Sequence, residues 1–256
     1  MLLVIDVGNT QTVLGIYDGV ELVHMWRIAT SKADTADELR VRVLSLLHME
    51  EIDPACIDGS AIASVVPSLS TAWKQALSRL IGSEPVTCSA LSAQGLFEAD
   101  YPNASEIGAD RIADAVAARS IYGAPVVVVD FGTATNVEVI DQNGRFVGGI
   151  IAPGLETSAA ALFSHATKLP AIELSDPGSA IGKSTVHAMR SGIVYGEADR
   201  VDGFVNRIFD ELGCKANVVA TGGLATTVAP LCKTITHVNS QLTLEGLRLV
   251  YEVAKR

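Results

Sequence analysis

The chain opens on an apolar run closed by Asp6, and two further apolar-rich runs follow at about 12–17 and 22–29. Bounded by Asp and Gly and with no room for a helix, residues 2–6 and these two runs are predicted strands. The period then changes. In "DELRVRVLSLLH" the residues Leu39, Val43, Leu46 and Leu47 fall on one helical face. "GSAIASVVP" is predicted as a short buried strand stopped by Pro67, and "STAWKQALSRLIG" as a helix ended by Gly82. "GADRIADAVAARSIYG" is an Ala-rich helix closed by Gly123. The programme then restarts with strands at 126–130, about 136–141 and 145–151, the last two joined by the turn "DQNGR". Helical segments follow, including a long periodic stretch from Val186 to Leu212. "NVVATGGLA" is predicted as strand, Gly-rich turn and helix start, and "LTLEGLRLVYEVAKR" as a closing amphipathic helix.

The restart carries a repeat. "LLVIDVGNTQTVLGIYDG" and "VVVVDFGTATNVEVID" are both an apolar run ended by Asp, then x-Gly, small polar residues and a second apolar run. Asp6 and Asp130 are 130 − 6 = 124 positions apart, about half of the 256 residues. The pattern predicts two α/β domains, 1–120 and 121–256, with the closing helix able to pack back on the first. A strand that turns through Gly presents backbone N–H groups that can cradle an anion. A carboxylate at the strand end suits instead a cation bridging to that anion. One D-x-G hairpin is common and says little. Two in matching context suggest two domains that each grip part of a polyphosphate. A third Gly-rich turn, Ala220 to Ala225, suits a flat ring or ribose on bare backbone.

Composition removes several classes. A formal net charge of −10 argues against a partner that is a nucleic-acid backbone or an anionic membrane. The longer uncharged stretches are broken by Gly, Pro and Thr, so no membrane span is expected. The first strand meets Asp6 too early for a signal peptide's apolar core. Cys56, Cys88, Cys214 and Cys232 form no CxxC pair, as expected of reduced thiols in a cytoplasmic protein. Five histidines, at 24, 48, 165, 187 and 237, lack metal-ligand spacing and are expected at the surface or satisfied in the core.

The order of "DVGNT", "EIGADR" (106–111), "DFGTAT" (130–135), "GGIIAPG" (148–154), "IGKST" (181–185), "ATGGLA" and "LTLEGL" resembles the type III pantothenate kinases along nearly the whole chain. These kinases belong to the acetate kinase, sugar kinase, Hsp70 and actin superfamily. The resemblance implies two similar actin-like (ribonuclease H-like) domains, mixed sheets flanked by helices, and an ATP cleft between them. It implies ATP-dependent phosphorylation of pantothenate, with Mg²⁺ and a monovalent cation, K⁺ or NH₄⁺, by a homodimer. Read alone, Asp110 and Arg111 at a helix start could be a helix-terminus carboxylate and a surface charge. By resemblance Asp110 is the general base, and Tyr101, Gly108, Ala109, Asp110, Arg111 and Thr185 line the pantothenate site. Asp6, Val7, Gly8, Asn9, Thr10, Gln11, Thr12 and Val13 would hold the phosphates, with Thr133, Gly222 and Gly223 completing the nucleotide site. Asp6 would face Mg²⁺, and Asp130 the monovalent cation.

"PGSAIGKST" imitates a P-loop, but only three residues separate Gly178 from Gly182, one too few. Lys183 is therefore expected as an exposed residue before a helix. Gly192 and Gly196, four apart, would permit close helix contact at a dimer interface, and intramolecular packing would explain them equally well. After "DFGTAT" the chain departs from the family pattern at Asn136, Val137 and Glu138, and "VPSLS" replaces the more usual "VPPLT". Two rivals remain: an accessory transcriptional regulator of the same fold, and a kinase of the superfamily with another small acceptor.

Overall fold

The computed structural model describes residues 1–165 and 172–255. In chain order the strands are β1 (Leu2–Val7), β2 (Gln11–Asp18), β3 (Glu21–Ala29), β4 (Gly59–Ser64), β5 (Val86–Thr87), β6 (Val126–Phe131), β7 (Ala134–Ile140), β8 (Phe146–Pro153), β9 (Asn217–Thr221) and β10 (His237–Val238). The α-helices are α1 (Ala36–Met49), α2 (Pro67–Ile81), α3 (Ala109–Tyr122), α4 (Leu155–His165), α5 (Thr185–Leu212), α6 (Ala225–Val228) and α7 (Leu242–Ala254). They form two compact units, Met1–Ala117 with Leu242–Arg256, and Ala118–Gln241.

The first unit holds a sheet in the order β3-β2-β1-β4-β5. β1 runs antiparallel to β2 and parallel to β4. One face, with Leu3, Ile5, Val7, Leu14 and Ile16, packs on Leu39, Val43 and Leu47 of α1 and on Leu69, Trp73 and Leu77 of α2. Strand alternation puts Val4 and Asp6 on the other face, which α7 covers with Leu244, Leu247 and Val250. α7 is pinned to α3 at two points. Thr243 Oγ1 donates to Asp114 Oδ1 at 2.7 Å, and a Cβ built on Gly246 would lie 2.0 Å from the Ala113 carbonyl oxygen.

That approach gives a stability prediction. Gly246→Ala forces backbone against backbone, with no flexible side chain to yield. It is expected to cost about 1–3 kcal/mol or more, read as a lower urea midpoint at unchanged m-value.

The second unit repeats the connectivity, in the order β10-β9-β6-β7-β8, with β6 antiparallel to β7 and parallel to β9. Val127, Val129, Phe131, Val137 and Val139 pack on Ala198, Val201, Val205 and Phe209 of α5. Alternation sends Asp130 to the opposite face, as it does Asp6.

Two local expectations change. Pro67 does not stop a strand: β4 ends at Ser64, and Pro67 opens α2 after Val66, whose extended backbone serves as N-cap. Proline is at home there, because the first helical N–H has no partner to lose. β5 and β10, two residues each, went unpredicted, since so short a run has no period.

Candidate active site

The two Asp-x-Gly turns are alike in form but differ by one residue. In the first unit the last ladder pair is Val7 with Thr12, and the Gly8 N–H donates to the Gln11 carbonyl at 3.0 Å. In the second the last pair is Phe131 with Thr135, and the Gly132 N–H donates to the Ala134 carbonyl at 3.0 Å. A Cβ on Gly8 would lie 2.8 Å from that Gln11 oxygen, so the tight turn selects glycine. Asn9, Thr10 and Gln11 are exposed at the tip, while Val7 is buried and Val13 half-buried. Thr12, expected by resemblance among the residues that hold the phosphates, is 1% exposed. Its Oγ1 meets Thr30 Oγ1 at 2.9 Å, and Thr30 Oγ1 donates to the Gly8 carbonyl at 2.8 Å. A threonine at the last pair of a ladder turns inward with the core, so this hydroxyl braces the turn from below.

Asp110 stands in the first turn of α3, where the Arg111 N–H donates to its Oδ1 at 2.8 Å. A Cβ on Gly108 would sit 2.5 Å from that oxygen, so Gly108 is bare to leave room for the carboxylate. Burial pushes the Asp110 carboxyl above its ordinary range, against the Arg111 N–H and the Arg111 charge, which both pull it down. The buried Cys88 thiol donates to the Ala109 carbonyl at 3.3 Å. Its pKa is pushed up to about 12, first by burial and then by the carboxylates of Asp110, Asp6 and Asp114. At such a value the thiol stays protonated and is no nucleophile. Asp6 and Asp110, far apart in sequence, belong to one end of the same sheet: Asp6 pairs with Ala63 of β4, the Cys88 N–H donates to the Ile62 carbonyl at 2.8 Å, and Cys88 in turn holds the start of α3. Asp114 follows one helical turn after Asp110 and is 2% exposed. Tyr101 is exposed at 38%. It precedes a short 3-10 helix, Ala104–Glu106, held where Asn103 Nδ2 donates to Glu106 Oε1 at 2.9 Å.

In the second unit Asp130 lies against the Gly-rich turn after β9. Gly222 has φ +92°, and a Cβ there would fall 2.3 Å from Asp130 Oδ1 and 2.7 Å from the Phe131 backbone N and O. Gly223 beside it is exposed, and the helix that follows, α6, is a single turn. Thr133 is exposed at the tip of the second hairpin, and its carbonyl accepts from the Gly154 N–H at 3.1 Å and from Thr157 Oγ1 at 2.6 Å. Thr185 is exposed at the start of α5, capped by Ser184, whose Oγ accepts from the His187 N–H at 3.2 Å. Lys183 is exposed before that cap. A Cβ on Gly182 would meet the Ala188 backbone N at 2.3 Å. The "IGKST" stretch thus folds back on its own helix.

The histidines are accounted for locally. His24 stacks on Trp26 and pairs with Glu50, His187 meets the Ser179 carbonyl, and His237 tilts against Tyr122. His48 lies in the last turn of α1, and the side chain of His165 lies outside the described residues. Among the described residues no three His, Cys, Asp or Glu gather as a metal cluster, and no helix is long and apolar enough to cross a membrane.

A family model described as type III pantothenate kinase matches residues 2–207. The chain belongs to the type III pantothenate kinase family. A type III pantothenate kinase of Exiguobacterium sp. is 47% identical over 252 residues, 98% of either chain. One from Moorella thermoacetica is 45% identical over 98% of this chain and 99% of its own. Among solved structures, a conserved candidate Baf family transcriptional activator from Campylobacter jejuni superposes with a TM-score of 0.61, at 18% identity over 98% of this chain and 97% of its own. Component A of the (R)-2-hydroxyglutaryl-CoA dehydratase of Acidaminococcus fermentans gives 0.59, at 17% identity over 100% and 99%. These distant structures share the fold alone, that of actin-like ATPases and sugar kinases. The two mixed sheets flanked by helices expected from the sequence are those of a type III pantothenate kinase. Sequence reasoning gave no role to Thr30 and Asp114, which carry contacts in the first unit, or to Gly154 and Glu197, which carry contacts beside the second turn. Asp114 left a trace as a second Asp four residues after Asp110 on an otherwise Ala-rich face, and Gly154 as the end of the motif "GGIIAPG".

Proposed function

We propose that this chain transfers the γ-phosphoryl group of ATP to the terminal hydroxyl of pantothenate, the first step towards coenzyme A. The carrying observation is the buried Asp110 at the start of α3, held through Ala109 to Cys88 beside β4, the strand that pairs with Asp6 of β1, in a chain of the type III pantothenate kinase family. Asp110 takes the proton of the attacking hydroxyl. Burial makes its carboxylate a stronger base than one in water, which is the direction general-base catalysis needs. Arg111 receives the substrate carboxylate, while Tyr101, Gly108, Ala109 and Thr185 shape the rest of the pantothenate site. The Asp6–Val13 turn offers backbone N–H groups and the side chains of Asn9, Thr10 and Gln11 to the phosphates. Thr133 adds a hydroxyl, and Gly222 with Gly223 leaves bare backbone for the nucleoside.

Asp6 is an oxygen donor at a strand end, beside a turn fit for phosphates, which suits Mg²⁺ held by one carboxylate and substrate oxygens. Asp130 presses against the bare Gly222 turn beside the Phe131 backbone, and carboxylate and carbonyl oxygens are donors that suit a hard monovalent cation, K⁺ or NH₄⁺. When bound, these cations neutralise charge on the transferring phosphoryl group. A homodimer belongs to the same reading. Gly192 and Gly196 are exposed, and among the described residues nothing lies within 4 Å of a Cβ built on either. Packing within the described chain therefore gives these glycines no task, and a partner helix would. A cytoplasmic location follows from a supply of ATP.

Coupled ADP release is the test. Pantothenate is expected to stimulate it, and glucose, glycerol and acetate are not. An equal response to glucose would make the chain a sugar kinase. ATP binding without turnover of any acceptor would favour a regulator.

A further inference from the structure

Beneath the second turn lies a charge that the reaction does not use. Glu197 on α5 is 3% exposed, and its Oε1 accepts from Thr135 Oγ1 at 2.6 Å. Its other oxygen pairs with Arg200, which also donates to the Pro153 carbonyl at 2.6 Å. Thr135 closes the ladder at one end of the turn 132–134. Pro153 precedes Gly154, whose N–H holds the Thr133 carbonyl at the other end. A Cβ on Gly154 would lie 2.3 Å from the Gly132 carbonyl oxygen, so this contact has no slack. One carboxylate thus reaches both anchors of the turn.

We propose that Glu197 is a positioning residue for nucleotide binding, holding the turn 132–134 in its binding shape through Thr135 and Arg200. The proposal rests on the reading above, in which this turn serves the nucleotide. The first unit supplies the comparison. At the matching ladder position Thr12 is braced by the neutral hydroxyl of Thr30. Stability alone does not ask for the exchange, because a buried ion pair is commonly no better than apolar residues of the same volume. What the pair adds is direction. A carboxylate fixed by a hydroxyl on one side and a guanidinium on the other tolerates one arrangement of the strand end and the β8–α4 junction. The turn between them is then set before any ligand arrives.

ADP with Mg²⁺ and KCl is titrated calorimetrically into wild type, Glu197→Gln, Thr135→Val and the double variant, and each is melted. The single variants are expected to weaken ADP binding roughly tenfold, the scale of one charge-assisted hydrogen bond. The double variant is expected to be no weaker than the worse single one, since both act on the same contact. KM for pantothenate is expected to stay within twofold of wild type. Wild-type affinity in both single variants, with lowered melting temperatures, would make Glu197 a stability brace and overturn the proposal. Where Glu197→Gln does not fold, Thr135→Val decides alone in the same way. Wild type that binds no ADP would instead remove the nucleotide role of the turn.

Discussion

Asp110→Asn is expected to lower kcat for pantothenate phosphorylation by roughly 10²–10⁴ while nucleotide binding survives, the scale of losing a general base. Asparagine keeps the shape and can still accept from the Arg111 N–H, but it has no basic oxygen. The wild-type rate should fall on the acid side as Asp110 takes up its proton, and this limb should vanish in the variant. Stability moves the other way. The folded Asp110 carboxyl holds its proton more tightly than an unfolded one, because burial opposes its charge. Through that pH window the native state binds more protons, so stability falls as pH rises and the charged form costs stability at neutrality. Asp110→Asn is therefore expected to melt no lower than wild type, so its inactivity cannot be blamed on unfolding. Lys183→Ala is the control: an exposed residue ahead of a capped helix should change kcat little. A crippled Lys183→Ala beside an active Asp110→Asn would put the phosphates near residue 183 and remove the Asp6–Asp110 reading.

The second large effect is expected at Gly222. An alanine there meets a carboxylate and a backbone at once, 2.3 Å from Asp130 Oδ1 and 2.7 Å from Phe131 N and O, at φ +92°. Left-handed strain costs on the order of 1–3 kcal/mol, and overpacking adds about 1–3 kcal/mol. Gly222→Ala should therefore lower the melting temperature and abolish turnover together. Asp130→Asn adds no atom to the same spot and should leave the melting temperature near wild type. If Asp130 holds the monovalent cation, activity in K⁺ should far exceed activity in Na⁺ for wild type, and the substitution should erase that ratio along with most turnover. Wild type fully active in Na⁺ alone would reduce Asp130 to a structural strand end.

What the sequence carried well was periodic or duplicated. Leu39 and Val43 marked the buried stripe of α1, and the repeated Asp-x-Gly marked two sheets that share one connectivity. What it hid depends on contacts between distant positions. Thr12 reads as a polar tip residue until Thr30 is seen beneath it, and nothing near Glu197 announces that it lies under Thr135. Pro67 misled for a local reason, since the same ring can end a strand or open a helix. The one-residue difference between the turns was open to counting, six positions from Asp6 to Thr12 against five from Asp130 to Thr135.

The course of α7 bears on how the chain is made. Residues 118–241 are contiguous, so the whole of the second unit is available once residue 241 has left the ribosome. The first unit cannot close so early, because Leu244, Leu247 and Val250 belong to its buried interior and emerge only after the second unit is complete. At about 5–20 residues per second, the β1–β4 sheet waits on the order of 10–40 seconds with the face bearing Val4 and Asp6 uncovered. The half that is synthesised first is thus the half that finishes last, and during that interval it is the segment most in need of a chaperone.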